Sequence, residues 1–123
     1  MFPRFLLPET VSREDGAGVA VTLDQNPGAA LLTLGIDRVL EQESLDVSVW
    51  GSPDGRSWRP LASFPQKSYC GAYSLELNLG RYPDVRFLRA QWRMGRWAND
   101  QARPLFGFHV KLDRPKSRRA GAA

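Results

Sequence analysis

The chain has 123 residues, of which 42% are hydrophobic and 11% aromatic, a composition typical of one globular domain and not of a disordered chain. No apolar run approaches the ~20 residues of a membrane-spanning helix, and a single cysteine excludes an internal disulfide. The net charge of +4 is unevenly spread, because residues 1–55 sum to −6 and residues 56–123 to +10. This split predicts complementary strands within a sandwich or, alternatively, a charged docking surface.

The first third of the chain contains an arm, one short strand and one long strand. Residues 1–16 are predicted to be an N-terminal arm. Apolar residues alternate over 19–23, which predicts a first strand. Residues 29–36 are apolar on both sides and predict a central strand covered on both faces. Residues 37–44 are predicted to be a loop or an extension of that strand.

A strand and a sharp corner follow. Residues 45–50 alternate between apolar and polar or aromatic side chains, which predicts a strand with one apolar face. Residues 52–55 then predict a turn. Pro53 presets φ, Asp54 can accept bonds from nearby backbone, and Gly55 tolerates a positive φ. The unit therefore predicts a hairpin or tight corner in an all-β protein.

The second half continues the pattern. Alternating or mainly apolar segments over 58–64, 72–79, 85–94 and 106–112 predict four further strands, separated by segments rich in Gly, Pro and polar residues. In the third of these segments, the side chains of 86, 88, 90, 92 and 94 are predicted to share one side of the strand, and those of 85, 87, 89, 91 and 93 the other.

Strands at intervals of about 8–12 residues predict an all-β fold, a single antiparallel β-sandwich of jelly-roll type with little or no helix. The domain is expected to span residues 1–114, and residues 115–123 to form a basic, disordered tail. The core is expected to hold the apolar residues that alternation places inward: Val21, Leu32, Leu34, Val47, Val49, Leu75, Leu77, Leu88, Phe106, Phe108 and Val110.

The segment 45–58, LDVSVWGSPDGRSW, followed by LEL at 75–77 and VRFLR at 85–89, resembles the discoidin-type, galactose-binding-like jelly roll. That family includes the C-type domains of coagulation factors. Its pattern is a strand ending in a Ser-x-Asp-Gly-x-x-Trp corner, followed by an aromatic and basic strand. The resemblance covers about residues 45–94 and implies two antiparallel sheets and a non-enzymatic binding role. It brings no ligand residues, and this chain is expected to lack the family's customary terminal disulfide and secretion signal.

No pattern of residues predicts catalysis, a metal site or a cofactor. The chain has no Gly-rich phosphate loop and no nucleophile elbow, and one cysteine with one histidine cannot form a conventional zinc site. Cys70 is expected to be a buried, inert thiol. His109 is expected to face the same way as Lys111, partly solvated and with no evident carboxylate to orient it as a base. The sequence therefore predicts that the protein is not an enzyme.

One aromatic and basic segment is the candidate binding site. A tryptophan ring beside guanidinium and amide donors can stack on a sugar or a base and hydrogen-bond to it. The alternative is that Trp92 belongs to the core and the next tryptophan anchors the loop over it. The residues predicted to bind a ligand or partner are Arg93, Arg96, Trp97, Asn99 and Arg103.

The favoured function is a non-catalytic binding or assembly module that docks a protein partner or another copy of itself. The alternative is a module that binds a carbohydrate or another small polar ligand through the same residues. Contact between nucleic acid and the basic second half of the chain ranks below both. A single cysteine and the lack of a secretory signal in the first eight residues predict a cytoplasmic location.

Overall fold

The computed structural model of the chain describes residues 4–23, 28–40, 44–67, 69–95 and 105–114. Within those ranges the chain forms nine strands and a short 3-10 turn, and no α-helix. The strands are β1 (Arg4–Ser12), β2 (Gly16–Ala17), β3 (Val21–Thr22), β4 (Ala30–Leu40), β5 (Ser44–Ser52), β6 (Arg59–Ser63), β7 (Gly71–Leu77), β8 (Phe87–Gly95) and β9 (Leu105–Asp113).

The strands form two antiparallel sheets that pack face to face. The four-stranded sheet has the order β1-β9-β4-β7. The five-stranded sheet has the order β2-β8-β5-β6, with β3 also paired to β8. When β2 and β3 are taken as one interrupted strand, every connection except that between β5 and β6 crosses from one sheet to the other, as in a jelly roll. The predicted all-β sandwich is confirmed.

The core lies between the sheets because alternate residues of each strand point inward. Leu34 on β4 and Phe108 on β9 are fully buried, and so is Val49 on β5. Nine of the eleven predicted core residues are buried, whereas Val21 and Leu75 are partly buried and pack against the core. Both lie on strands at sheet edges, where one flank has no neighbouring strand.

The prediction of an N-terminal arm is wrong. Residues 4–12 form β1, which pairs with β9 and buries Leu6 and Leu7. Pro8 argued against a strand here, because proline cannot donate a backbone hydrogen bond. β1 is an edge strand with register shifts on either side of Leu7, and such a position tolerates a proline. The strand-extension reading of 37–44 holds as far as Leu40, beyond a bulge between Ile36 and Arg38.

The predicted corner is confirmed. Asp54 Oδ1 accepts hydrogen bonds from the backbone N–H groups of Arg56 and Ser57 at 2.8 and 2.9 Å, and Gly55 has a φ of 80°. The N–H groups of Ser57 and Arg56 and the hydroxyl of Ser52 lower the pKa of Asp54. The corner joins β5 and β6, which pair as an antiparallel hairpin.

Candidate functional site

The predicted site can be followed only in part. Arg93 is described and lies exposed on β8, on the outer side of the five-stranded sheet. Arg96, Trp97, Asn99 and Arg103 lie outside the described residues, so their role stays a prediction. Trp92, by contrast, is buried against Phe108 and donates its Nε1–H to the backbone oxygen of Glu14, as the core alternative expects.

The outer side of the five-stranded sheet carries a row of polar and aromatic side chains around Arg93. Alternation along β5 and β8 places them there, opposite the buried Val47, Val49 and Ala90. They line a depression of about 320 Å³ together with Ser63 and Phe64. We call this surface the polar face; it consists of Asp46, Ser48, Trp50, Gln91 and Arg93.

The indole of Trp50 is held in a fixed orientation on the polar face. Its Nε1–H donates a hydrogen bond of 2.9 Å to Ser48 Oγ, two residues earlier on the same strand. The ring is half-buried, so one part rests on the sheet and another part borders the depression. A ring that is already oriented loses little conformational entropy when a ligand stacks on it.

The corner closes one end of the polar face. Arg89 lies directly across from Trp50, and its guanidinium carbon is 4.2 Å from the centre of the Trp58 ring. Gly55 of the corner packs against Phe87. A Cβ atom added to this glycine would lie 3.8 Å from the Phe87 ring. Within the described ranges the buried Nε of Arg89 has no hydrogen-bond partner. The guanidinium stacked on Trp58 thus lies next to Trp50 at this end of the polar face.

Three side chains of the polar face make no bonds within the part of the chain that the structure describes. Asp46 and Arg93 are directly opposite each other on β5 and β8, yet no ion pair within 4.0 Å joins them. Gln91, opposite Ser48, likewise has no side-chain hydrogen bond there. The polar face thus presents an acceptor, a donor and an amide that are not satisfied by one another.

The four-stranded sheet has a different polar group on its outer side, which sequence reasoning missed. His109 faces outward as predicted, but a carboxylate does lie beside it: Nδ1 is 3.4 Å from Glu9 Oε1. The ring also covers Gly35 and makes an edge-to-face contact with Phe5, with centroids 5.6 Å apart. Glu9 is on β1, the strand predicted to be an arm, and is 100 positions away in sequence.

Asp37 supplies a second carboxyl group that acts on Glu9. We call Glu9, Asp37 and His109 the acid–imidazole cluster. Partial burial, and then the hydrogen bond and negative charge of Asp37, raise the pKa of Glu9, against the opposing effect of His109. Asp37 is the extra residue of β4 at the bulge between Ile36 and Arg38. Among the described residues, no three His, Cys, Asp or Glu side chains are arranged to hold a metal ion.

The expectation of a buried Cys70 is wrong. The thiol is exposed in the turn that leads into β7, which begins at the next residue, Gly71. Cys70 borders a depression of about 450 Å³ with Asp37, Arg38, Val39 and Leu105.

Comparisons with protein-family models, with curated proteins and with solved structures find no match to this chain. The discoidin-type resemblance of residues 45–94 therefore stays a prediction. Among the residues that the structure describes, no helix is long and apolar enough to cross a membrane.

Proposed function

We propose that the protein is a non-catalytic module that binds a carbohydrate on the polar face. The observation that carries the proposal is the juxtaposition of an oriented tryptophan with unpaired polar groups: Trp50, fixed by Ser48, borders the same depression as Asp46, Gln91 and Arg93. These three side chains are exposed or half-buried and bond to water in the free protein, so their polar groups are available to a ligand that enters the depression.

The chemistry of a sugar ring suits this surface. One side of a pyranose carries C–H groups, which stack on an indole, and its edge carries hydroxyl groups that both donate and accept hydrogen bonds. Asp46 can accept from such hydroxyls, while Arg93 and Gln91 can donate to them. A depression of about 320 Å³ is at the small end of ligand sites, which suits one or two sugar rings.

The charges on the polar face favour a carbohydrate over a nucleic acid. Asp46 lies directly across from Arg93, so the depression has no continuous positive track for a phosphate backbone. A cytoplasmic location remains part of the proposal. It is supported by the exposed, free thiol of Cys70, which would persist in a reducing compartment.

The experiment is a glycan array probed with the full chain, followed by calorimetry with the oligosaccharide that gives the strongest signal. We expect Trp50→Ala to weaken binding of that oligosaccharide by about tenfold or more, the scale of one aromatic stacking contact. His109→Ala, on the outer side of the other sheet, is the matched control and should bind as the wild type does. Failure to bind any array glycan would contradict the proposal, and so would tight binding of a single-stranded nucleic acid instead.

A further inference from the structure

The described sheets have four edges, and three of them are blocked against pairing with another strand. β1 contains Pro8 and two register shifts, and β6 contains Pro60 and one register shift. β2 and β3 are strands of two residues each. Prolines, irregular register and short length are the usual devices that keep an exposed sheet edge from pairing with a second chain.

The fourth edge, β7, lacks these devices. Gly71–Leu77 pairs with β4 over all seven residues without a register shift and contains no proline and no lysine. Among the described residues β7 is the terminal strand of its sheet, so its other side has no strand partner. Lys67, which lies nearby, has its ammonium 4.0 Å from the centre of the Tyr73 ring. We call this strand the β7 edge.

We propose that a second copy of this chain pairs with the β7 edge, with the two β7 strands antiparallel about a two-fold axis at Ser74. A symmetric contact of this kind uses the same surface on both copies and therefore closes at a dimer. It would join the two four-stranded sheets into one continuous sheet of eight strands. Main-chain hydrogen bonds supply the affinity in such strand addition, and side chains set the register.

The side chains of β7 are compatible with themselves in this register. Tyr73 and Leu75, which are partly buried against the core, would each lie opposite the other on the second copy, so both would lose their exposed apolar area. On the outer side, Ser74 would lie opposite Ser74, and Glu76 opposite Ala72. No like charges are brought together, whereas a register centred on Glu76 would pair two carboxylates.

The contact is small, since it involves one strand of seven residues from each copy. Interfaces at the low end of the size range are transient, and we therefore expect a dimer that depends on protein concentration. The polar face lies on the other sheet, so the dimer is independent of the proposed carbohydrate binding.

Cysteine cross-linking tests the register directly, in a Cys70→Ser background that removes the native thiol. Residues directly opposite in an antiparallel pair have Cα atoms about 4.5–5.5 Å apart, within the range of a disulfide. Ser74→Cys should therefore form a disulfide-linked dimer on mild oxidation. Ala72→Cys and Glu76→Cys should not cross-link alone, because like positions would be more than about 13 Å apart. A mixture of those two variants should cross-link.

Sedimentation velocity over a range of concentrations gives an independent measurement on the uncross-linked chain. Ser74→Lys should shift the protein to monomer by placing two ammonium groups opposite each other, while Ser74→Ala should leave the dimer unchanged. Val11→Lys, on the exposed part of β1, is the control at another edge. A wild-type monomer at all concentrations would overturn the proposal. A dimer that Val11→Lys disrupts and Ser74→Lys does not, or equal cross-linking at positions 72, 74 and 76, would do so as well.

Discussion

The outer sides of the two sheets carry similar residue types but use them differently. On the four-stranded sheet, several of the polar groups bond to one another: Glu9 with His109, Lys111 with Asp113 at 3.8 Å, and Thr33 with Ser74 at 3.2 Å.

On the five-stranded sheet the polar face holds Trp50 in place through Ser48, whereas Asp46, Gln91 and Arg93 have no partner in the part of the chain that the structure describes. Polar groups that bond to one another stabilise a surface weakly and leave few hydrogen-bonding positions for a ligand. Unpaired groups beside an oriented aromatic ring provide contacts that a ligand can complete. The difference between the two sides is thus in how completely each surface satisfies its own polar groups.

The largest expected effect comes from the core, on which both surfaces depend. Leu34→Ala removes a fully buried side chain from β4 and should lower the free energy of unfolding by about 2–5 kcal/mol. Leu31→Ala, on the outer side of the same strand, should cost less than half as much. Urea unfolding followed by tryptophan fluorescence and circular dichroism measures both variants. Because one core supports both sheets, the two probes should give one transition, and separate transitions would contradict a shared core.

A smaller effect should separate the two outer sides. Arg93→Gln should weaken binding of the array-selected oligosaccharide about tenfold, the usual scale of a lost hydrogen bond to a charged group. Lys111→Gln, which removes one positive charge from the other sheet, should leave the affinity unchanged. Both variants should retain the wild-type Tm because both side chains lie at the surface. Equal loss of binding in both would indicate a general charge effect and remove the distinction between the surfaces.

The smallest effect concerns the acid–imidazole cluster. The folded state raises the pKa of Glu9, so ionising Glu9 costs more in the folded protein than in the unfolded one. The contribution to stability is complete below the ordinary pKa of glutamate and is lost as the pH rises through the raised pKa. Tm should therefore fall less in Glu9→Gln than in the wild type as the pH rises across the mildly acidic range. Asp37→Asn, which removes a smaller cause of the raised pKa than burial, should reduce this fall in Tm by less than Glu9→Gln does. A steeper fall in either variant would contradict this assignment.

Local patterns were enough to predict most strands, but not every exposed or paired residue. Alternation along 85–94 correctly placed Leu88, Ala90 and Trp92 on one side and Arg93 on the other, because a strand has a period of two whatever it packs against. It was wrong at 85–86, before β8 begins, where Val85 is buried and Arg86 is exposed. The burial of Cys70 and the isolation of His109 were wrong. Both depended on residues distant in sequence or on the path of a turn, and periodicity describes neither.

The sequence by itself determined the all-β sandwich and the corner at 52–58. The corner's bonds join residues no more than three positions apart, so Ser52, Asp54 and Gly55 specify it wherever the segment lies. Only the tertiary structure decided that β1 joins β9 and so brings Glu9 to His109, and that Asp46 lies opposite Arg93. Those contacts depend on strand order and register, which are set by how the whole core packs and not by any one segment.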